Sequence, residues 1–189
     1  MKITWKKWWG HFRTITHHRH LVMRGCFRVG LYRQGLTHDL SKYSPTEFLE
    51  GARYYQGTRS PNAAEREAKG YSEAWMHHKG RNRHHYEYWT DMNLETRCYE
   101  SVPMPTRYVA EMVMDRIAAC KTYQGKNYTA ASALTYFLRS RERELMHPET
   151  RQTLETLLRM LSEKGEEETF RHIRQMLRAD RKAAQEVNV

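Results

Sequence analysis

Trp5, Trp8, Trp9 and Phe12 stand at i, i+3, i+4 and i+7, the spacing that gathers side chains on one face of a helix. This predicts an amphipathic helix running through the basic stretch to about Leu31. Ser44-Pro45-Thr46-Glu47 is the next start signal: Ser44 can cap, Pro45 fits the first helical position, and Glu47 can complete a capping box. A helix from about Pro45 to Tyr55 follows. Residues 56–70, rich in Gly, Ser, Pro, Asn and charge, read as a surface loop. Another helical stretch begins near Ser72, breaks around Gly80 and resumes through His84 to Trp89. Pro103 and Pro105 then precede a helix with Tyr108, Val109, Met112, Val113 and Ile117 on its apolar face. Three more helices are predicted: Ala130 to Leu145, Pro148 to Ser162 with Leu154, Leu157, Leu158 and Leu161 in phase, and Glu166 to about Ala184. No segment alternates with period two beyond very short runs, so no strand is predicted. The expected fold class is all-α, in a single domain spanning 1–189.

Composition agrees with a folded chain. Of 189 residues 39% are hydrophobic and 29% charged, too apolar for a disordered polymer. Cys26, Cys98 and Cys120 are odd in number and widely spaced, which predicts neither a disulfide framework nor a thiolate zinc site. No run approaches the roughly 18 apolar residues of a transmembrane segment, and the N-terminus lacks the pattern of a signal peptide. The expected location is the cytoplasm. The charge of +10 is uneven, for residues 1–40 hold eight Lys/Arg against a single acidic residue, Asp39. Such an imbalance suits an anionic partner: a nucleotide, nucleic acid or phospholipid surface.

Histidine changes the picture most. His17, His18, His20, His38, His77, His78, His84 and His85 are eight of the eleven histidines, and all but His38 fall in three tight groups. Neutral imidazole offers a metal a lone pair near neutral pH. In Thr37-His38-Asp39-Leu40-Ser41-Lys42, an imidazole and a carboxylate sit side by side between two predicted helices, where both can turn toward one cation. Glu111 lies one helical turn before Asp115, so it can orient a ligand, accept a proton, or form a surface pair.

The order of these groups, a histidine, then His38-Asp39, then histidines, then Asp115, resembles the HD-domain superfamily of metal-dependent phosphohydrolases. His38-Asp39-Leu40-Ser41-Lys42 is similar to the His-Asp-x-Gly-Lys motif of HD-GYP phosphodiesterases, with Ser41 in place of glycine. The runs LTHDLSKYSPTEF (36–48) and AWMHHKGRNRHHYEYW (74–89), with Glu111, Met112 and Asp115, more closely resemble an uncharacterised family of small bacterial and phage proteins, some labelled catalase. That likeness covers roughly residues 14–122. It implies a compact HD-like helical bundle with additional C-terminal helices over about 130–186. It also implies one or two divalent transition metal ions, iron, manganese or zinc, and no segment resembles a haem-binding one. His18, His38, Asp39 and Asp115 would hold the first ion, Asp39 bridging, and His78 with His84 or His85 the second. His17 and His20 remain alternatives to His18, and the run Lys79-Gly80-Arg81-Asn82 can break the helix that would align His78 with His85.

A divalent ion with an open position lowers the pKa of bound water toward about 7, and a pair of ions roughly 3.5–4 Å apart can clamp phosphoryl oxygens. The implied function is therefore phosphohydrolase or phosphodiesterase chemistry on a nucleotide-like anion. Asp39, Lys42 and Glu111 are the candidate catalytic groups. Lys42, Lys79, Arg81 and Asn82, neighbours of the ligands in sequence, are candidate phosphate contacts. Tyr86, Tyr88 and Trp89 can either stack on a base or pack beside the site. The Trp5/Trp8/Trp9 stripe with Lys2, Lys6 and Lys7 suits core packing before a membrane surface. Two other readings are a di-iron oxygenase on the same ligands, and a basic protein that binds nucleic acid or a partner protein around a structural metal.

Overall fold

The computed structural model describes residues 2–140 and 145–186. Its first helix, α1 (Trp5–Arg28), is capped by Thr4, whose hydroxyl accepts the Lys7 amide at 3.3 Å. His11, Ile15, His18, Val22 and Cys26 form its buried stripe, so the same face carries apolar anchors and two histidines. α2 (Tyr32–Thr37) and a 3-10 turn (Leu40–Tyr43) lead into α3 (Pro45–Tyr54), capped by Ser44 as its sequence predicts. α4 (Pro61–Lys69), α5 (Glu73–Lys79), α6 (Thr106–Gln124), α7 (Ser132–Ser140) and α8 (Pro148–Glu186) complete the helices of the described residues. The protein is all-α but for one small hairpin, β1 (Thr90–Met92) antiparallel to β2 (Tyr99–Ser101) with Asp91 opposite Glu100.

Two apolar clusters hold these helices. In the larger, Val22 and Cys26 of α1 and Val109, Val113 and Ile117 of α6 meet Phe137 of α7 and Leu154, Leu157, Leu158, Leu161, Phe170 and Ile173 of α8. Each fully buried leucine there contributes about 1.5–3 kcal/mol. The smaller joins Ile15 to Phe48 and Ala52 of α3, covered by Trp8, Phe12 and Tyr43. Along α1, His18 falls between Ile15 of the small cluster and Val22 of the large one. The seam between the clusters is where the polar residues collect.

Several sequence expectations need correction. Residues 56–70 are not one loop: Ser60 and Pro61 start α4, Ala64 and Glu65 bury its inner face, and Gly70, at φ 84°, ends it. The Gly, Ser and Pro signals there bound a helix instead of spanning a loop. The helix broken at Gly80 does not resume through His84 to Trp89. The Trp89 indole donates to the Arg83 carbonyl at 2.7 Å, closing a turn that contains only the 3-10 segment Tyr86–Tyr88. The hairpin was invisible to a period-two reading because its strands are three residues long. The helix predicted over Ala130 to Leu145 is Ser132–Ser140, and residues 141–144 lie outside the described ones. The break predicted between Ser162 and Glu166 is present at Gly165, where φ is 76°. The tryptophan stripe is only partly core: Trp8 packs on Phe48 at 5.1 Å between centroids, whereas Trp5 is 74% exposed. No helix of the described residues is long and apolar enough to cross a membrane.

Candidate metal centre

Between α2 and the 3-10 turn the backbone must reverse within two residues. His38 is extended (φ −50°, ψ 126°) and Asp39 takes the left-handed conformation (φ 53°), one of two non-glycine residues with positive φ among those described. A non-glycine residue there costs on the order of 1 kcal/mol, least for Asn and Asp, and such strain concentrates at functional sites. The reversal turns both side chains inward, and Asp39 is wholly buried.

Four other segments converge on that carboxylate. Asp39 Oδ1 lies 3.2 Å from His78 Nε2 of α5 and 3.4 Å from His84 Nε2 of the following turn. Asp39 Oδ2 lies 3.2 Å from His38 Nε2, 3.7 Å from His18 Nε2 of α1 and 2.6 Å from Lys42 Nζ. Asp115 of α6 closes the other side, its Oδ1 at 2.9 Å from His18 Nε2 and 3.6 Å from His38 Nε2. Two four-ligand groups result, His18/His38/Asp39/Asp115 and Asp39/His78/His84/His85, sharing Asp39.

The donor atoms fit a cation. Asp39 Oδ1 and the Nε2 atoms of His18, His38, His78, His84 and His85 are buried without a hydrogen-bond partner, their mutual approaches lacking hydrogen-bond alignment, and Asp39 Oδ2 is ion-paired with Lys42. Leaving a buried polar atom unpaired costs about 1–3 kcal/mol, so six together at one point are best explained by a ligand they all face. The far sides of the rings agree. His38 Nδ1 donates to Glu111 Oε1 at 2.9 Å, His84 Nδ1 lies 3.2 Å from the same oxygen, and His78 Nδ1 donates to Glu47 Oε2 at 2.7 Å. A ring whose Nδ1 gives its proton to a carboxylate keeps the Nε2 lone pair for a metal.

The electrostatics are those of a site short of positive charge. Burial pushes the Asp39 carboxyl up, yet His38, Lys42 and His78 around it hold it well below the usual range. Asp115, also opposed by burial, is likewise held well down by His18 and His38. Burial lowers His38 and His78, but Asp39, joined by Asp115 and Glu111 at His38 and by Glu47 at His78, outweighs it and raises both. Burial, helped by His84 and His78, keeps His85 well below its ordinary value. A cation held there would take the place of the protons on the raised rings, which must be neutral to bind it.

All seven histidine and aspartate ligands expected from sequence are therefore brought together, and both His84 and His85 join. His17 and His20 are exposed, which leaves His18 as the one of its group at the centre. Lys42 lines a 550 Å³ cavity that His18, His78, His85 and Asp115 also face, with Trp75, Tyr123 and Tyr136 among its other walls. The remaining substrate contacts expected from sequence are elsewhere. Lys79 and Arg81 do not line this cavity; Arg81 is exposed and donates to the His77 carbonyl, because α5 turns only one side toward the centre. Asn82 sits behind His78, giving its amide to Ser41 Oγ at 2.9 Å and the His78 carbonyl at 2.8 Å. Of the three aromatics, Tyr86 reaches the cavity, while Trp89 packs on Tyr108 and against the large core. Glu111 is a ring-orienting group bound to two histidines. Glu47 is the residue missed: its amide takes the Ser44 cap, but its carboxylate turns to His77 and His78, each at 2.7 Å, and closes no capping box.

Fold and site together define an all-α protein with a buried histidine/carboxylate cluster that could hold metal. The chain belongs to a family of unknown function (DUF5662), whose model matches residues 7–160 and so includes every candidate ligand. No curated protein and no solved structure matches it.

Proposed function

We propose that the chain is a metal-dependent phosphohydrolase acting on a nucleotide or similar phosphoester, with one or two divalent ions of iron, manganese or zinc. The observation that carries this reading is the set of six unpaired buried donor atoms at and around Asp39, opening on a cavity large enough for a small-molecule substrate. The bound ion supplies a Lewis acid and acidifies water toward a pKa of about 7. His18, His38, Asp39 and Asp115 hold one position, and His78, His84 and His85 the other, with Asp39 common to both. Lys42, its charge secured by Asp39 and Asp115 against burial, presents its ammonium to the cavity for a phosphoryl oxygen. Glu47 and Glu111 keep the rings in one tautomer. The enclosing helices α1, α3, α5 and α6 limit water around the ester.

Metal-reconstituted protein should hydrolyse a phosphodiester or nucleotide monophosphate, and Asp39→Ala should abolish the activity. Hydrolysis unchanged in that variant would remove the reading. Substrate-dependent oxygen uptake in place of hydrolysis would favour the oxygenase on the same ligands.

A further inference from the structure

At the other end of α1 from its tryptophans lies a second concavity, of 260 Å³, between the α1–α2 turn and the last turns of α8. Phe27, Arg28 and Tyr32 form one side, and Arg174, Arg178 and Arg181 the other. Two of these arginines have structural work. Arg28 pairs with Glu166 at 2.8 Å and Glu167 at 2.9 Å, and Arg174 donates to the Arg28 carbonyl at 2.9 Å. Arg178 and Arg181 are exposed and carry no ion pair among the described residues.

At 100° per residue, positions 174, 178 and 181 fall within an arc of roughly 60°, and Asp180 lies roughly 130° away. Three guanidinium groups so aligned repel one another, an arrangement that a polyanion relieves. Along the helix they extend over about 10 Å, enough to meet more than one phosphate of a strand. Facing them, Tyr32 is 61% exposed and held edge-on by Phe27 at 5.3 Å between centroids. An open, rigid aromatic ring beside arginines is the arrangement that accepts an unpaired base.

We infer that this concavity binds single-stranded nucleic acid, with Arg178 and Arg181 on backbone phosphates and Tyr32 stacking a base. A duplex keeps its bases stacked on each other and cannot supply the last contact. The site lies about 15 Å along α1 from His18, and its binding requires neither metal nor Asp39.

The test is fluorescence anisotropy of a labelled oligodeoxythymidine strand with the full chain, in chelator to prevent cleavage. Wild type should bind with an affinity that falls as salt rises. Arg178→Gln/Arg181→Gln should lower affinity about 25-fold at about 0.1 M salt and reduce the salt slope by about 1.4. Tyr32→Ala should weaken binding and leave the slope unchanged. Both variants alter exposed side chains, so circular dichroism should match wild type. Lys126→Gln/Lys164→Gln, which removes the same charge elsewhere, should lose little. Undiminished binding by the arginine variant, an equal loss in the lysine control, equally tight duplex binding, or equal competition by inorganic pyrophosphate would each overturn the inference. Asp39→Ala should bind as wild type, so failure here and failure of the hydrolase reading are separate outcomes.

Discussion

At Asp39, strain, burial and ligand convergence coincide: a left-handed backbone turns a fully buried carboxylate toward five imidazoles and an ammonium. The rings need fixing as much as the carboxylate does. Glu47→Gln and Glu111→Gln should each lower metal affinity about 10–100-fold, read by competition with a chromophoric chelator; unchanged affinity would mean these carboxylates only pack. His38 and Asp39 were legible in the sequence because they are adjacent and chemically specific. Glu47 was not, because a Ser-x-x-Glu run is fully explained by helix capping, and only tertiary structure brings α5 over its carboxylate. His11 makes a separate prediction. Burial, with Lys42 nearby, lowers its pKa from 6.5 to about 4. The unfolded chain therefore takes up the proton first, so this contribution to stability is full above pH 6.5 and lost between 6.5 and 4. His11→Gln should remove up to about 3 kcal/mol of the acid-induced loss across that window, measured by urea denaturation at several pH values. Parallel pH curves for variant and wild type would contradict it.

At the scale of elements, α1 is the spine of the site. Its buried stripe places Ile15 in one cluster, His18 at the centre and Val22 in the other cluster, so helix packing sets the ligand's position. The approach of α3 to α1 is fixed by Gly51, where an added Cβ would collide with the buried His11 ring. Gly51→Ala should cost roughly 1–3 kcal/mol and displace α3, which a lower thermal midpoint would show; a neutral effect would mean that the ring can move aside. Long periodic helices such as α1, α6 and the two halves of α8 were readable because their apolar faces repeat over several turns. The short α4 was hidden because its boundary residues resemble loop composition, and the hairpin because three residues cannot display a period. The turn holding His84 and His85 is closed by Trp89 reaching back six residues to the Arg83 carbonyl, a side-chain contact that no hydrophobic periodicity states.

Across the whole molecule, the centre draws on α1, the α2–α3 connection, α5, the turn after it and α6, which lie far apart in sequence. Two apolar clusters hold those segments, but the seam between them is polar, and a bound cation would offset the hydrogen bonding lost there. A ligand that binds the folded chain and not the unfolded one stabilises it in proportion to the logarithm of its concentration over Kd. Metal occupancy is thus the claim on which both the site and its chemistry stand. The direct measurement is total metal by inductively coupled plasma mass spectrometry, on protein purified without a histidine tag, comparing wild type with His38→Ala/Asp39→Ala. One to two equivalents of transition metal in wild type, lost in the double variant, is the predicted result. No metal in wild type after reconstitution with iron, manganese and zinc, or equal metal in both proteins, would contradict it.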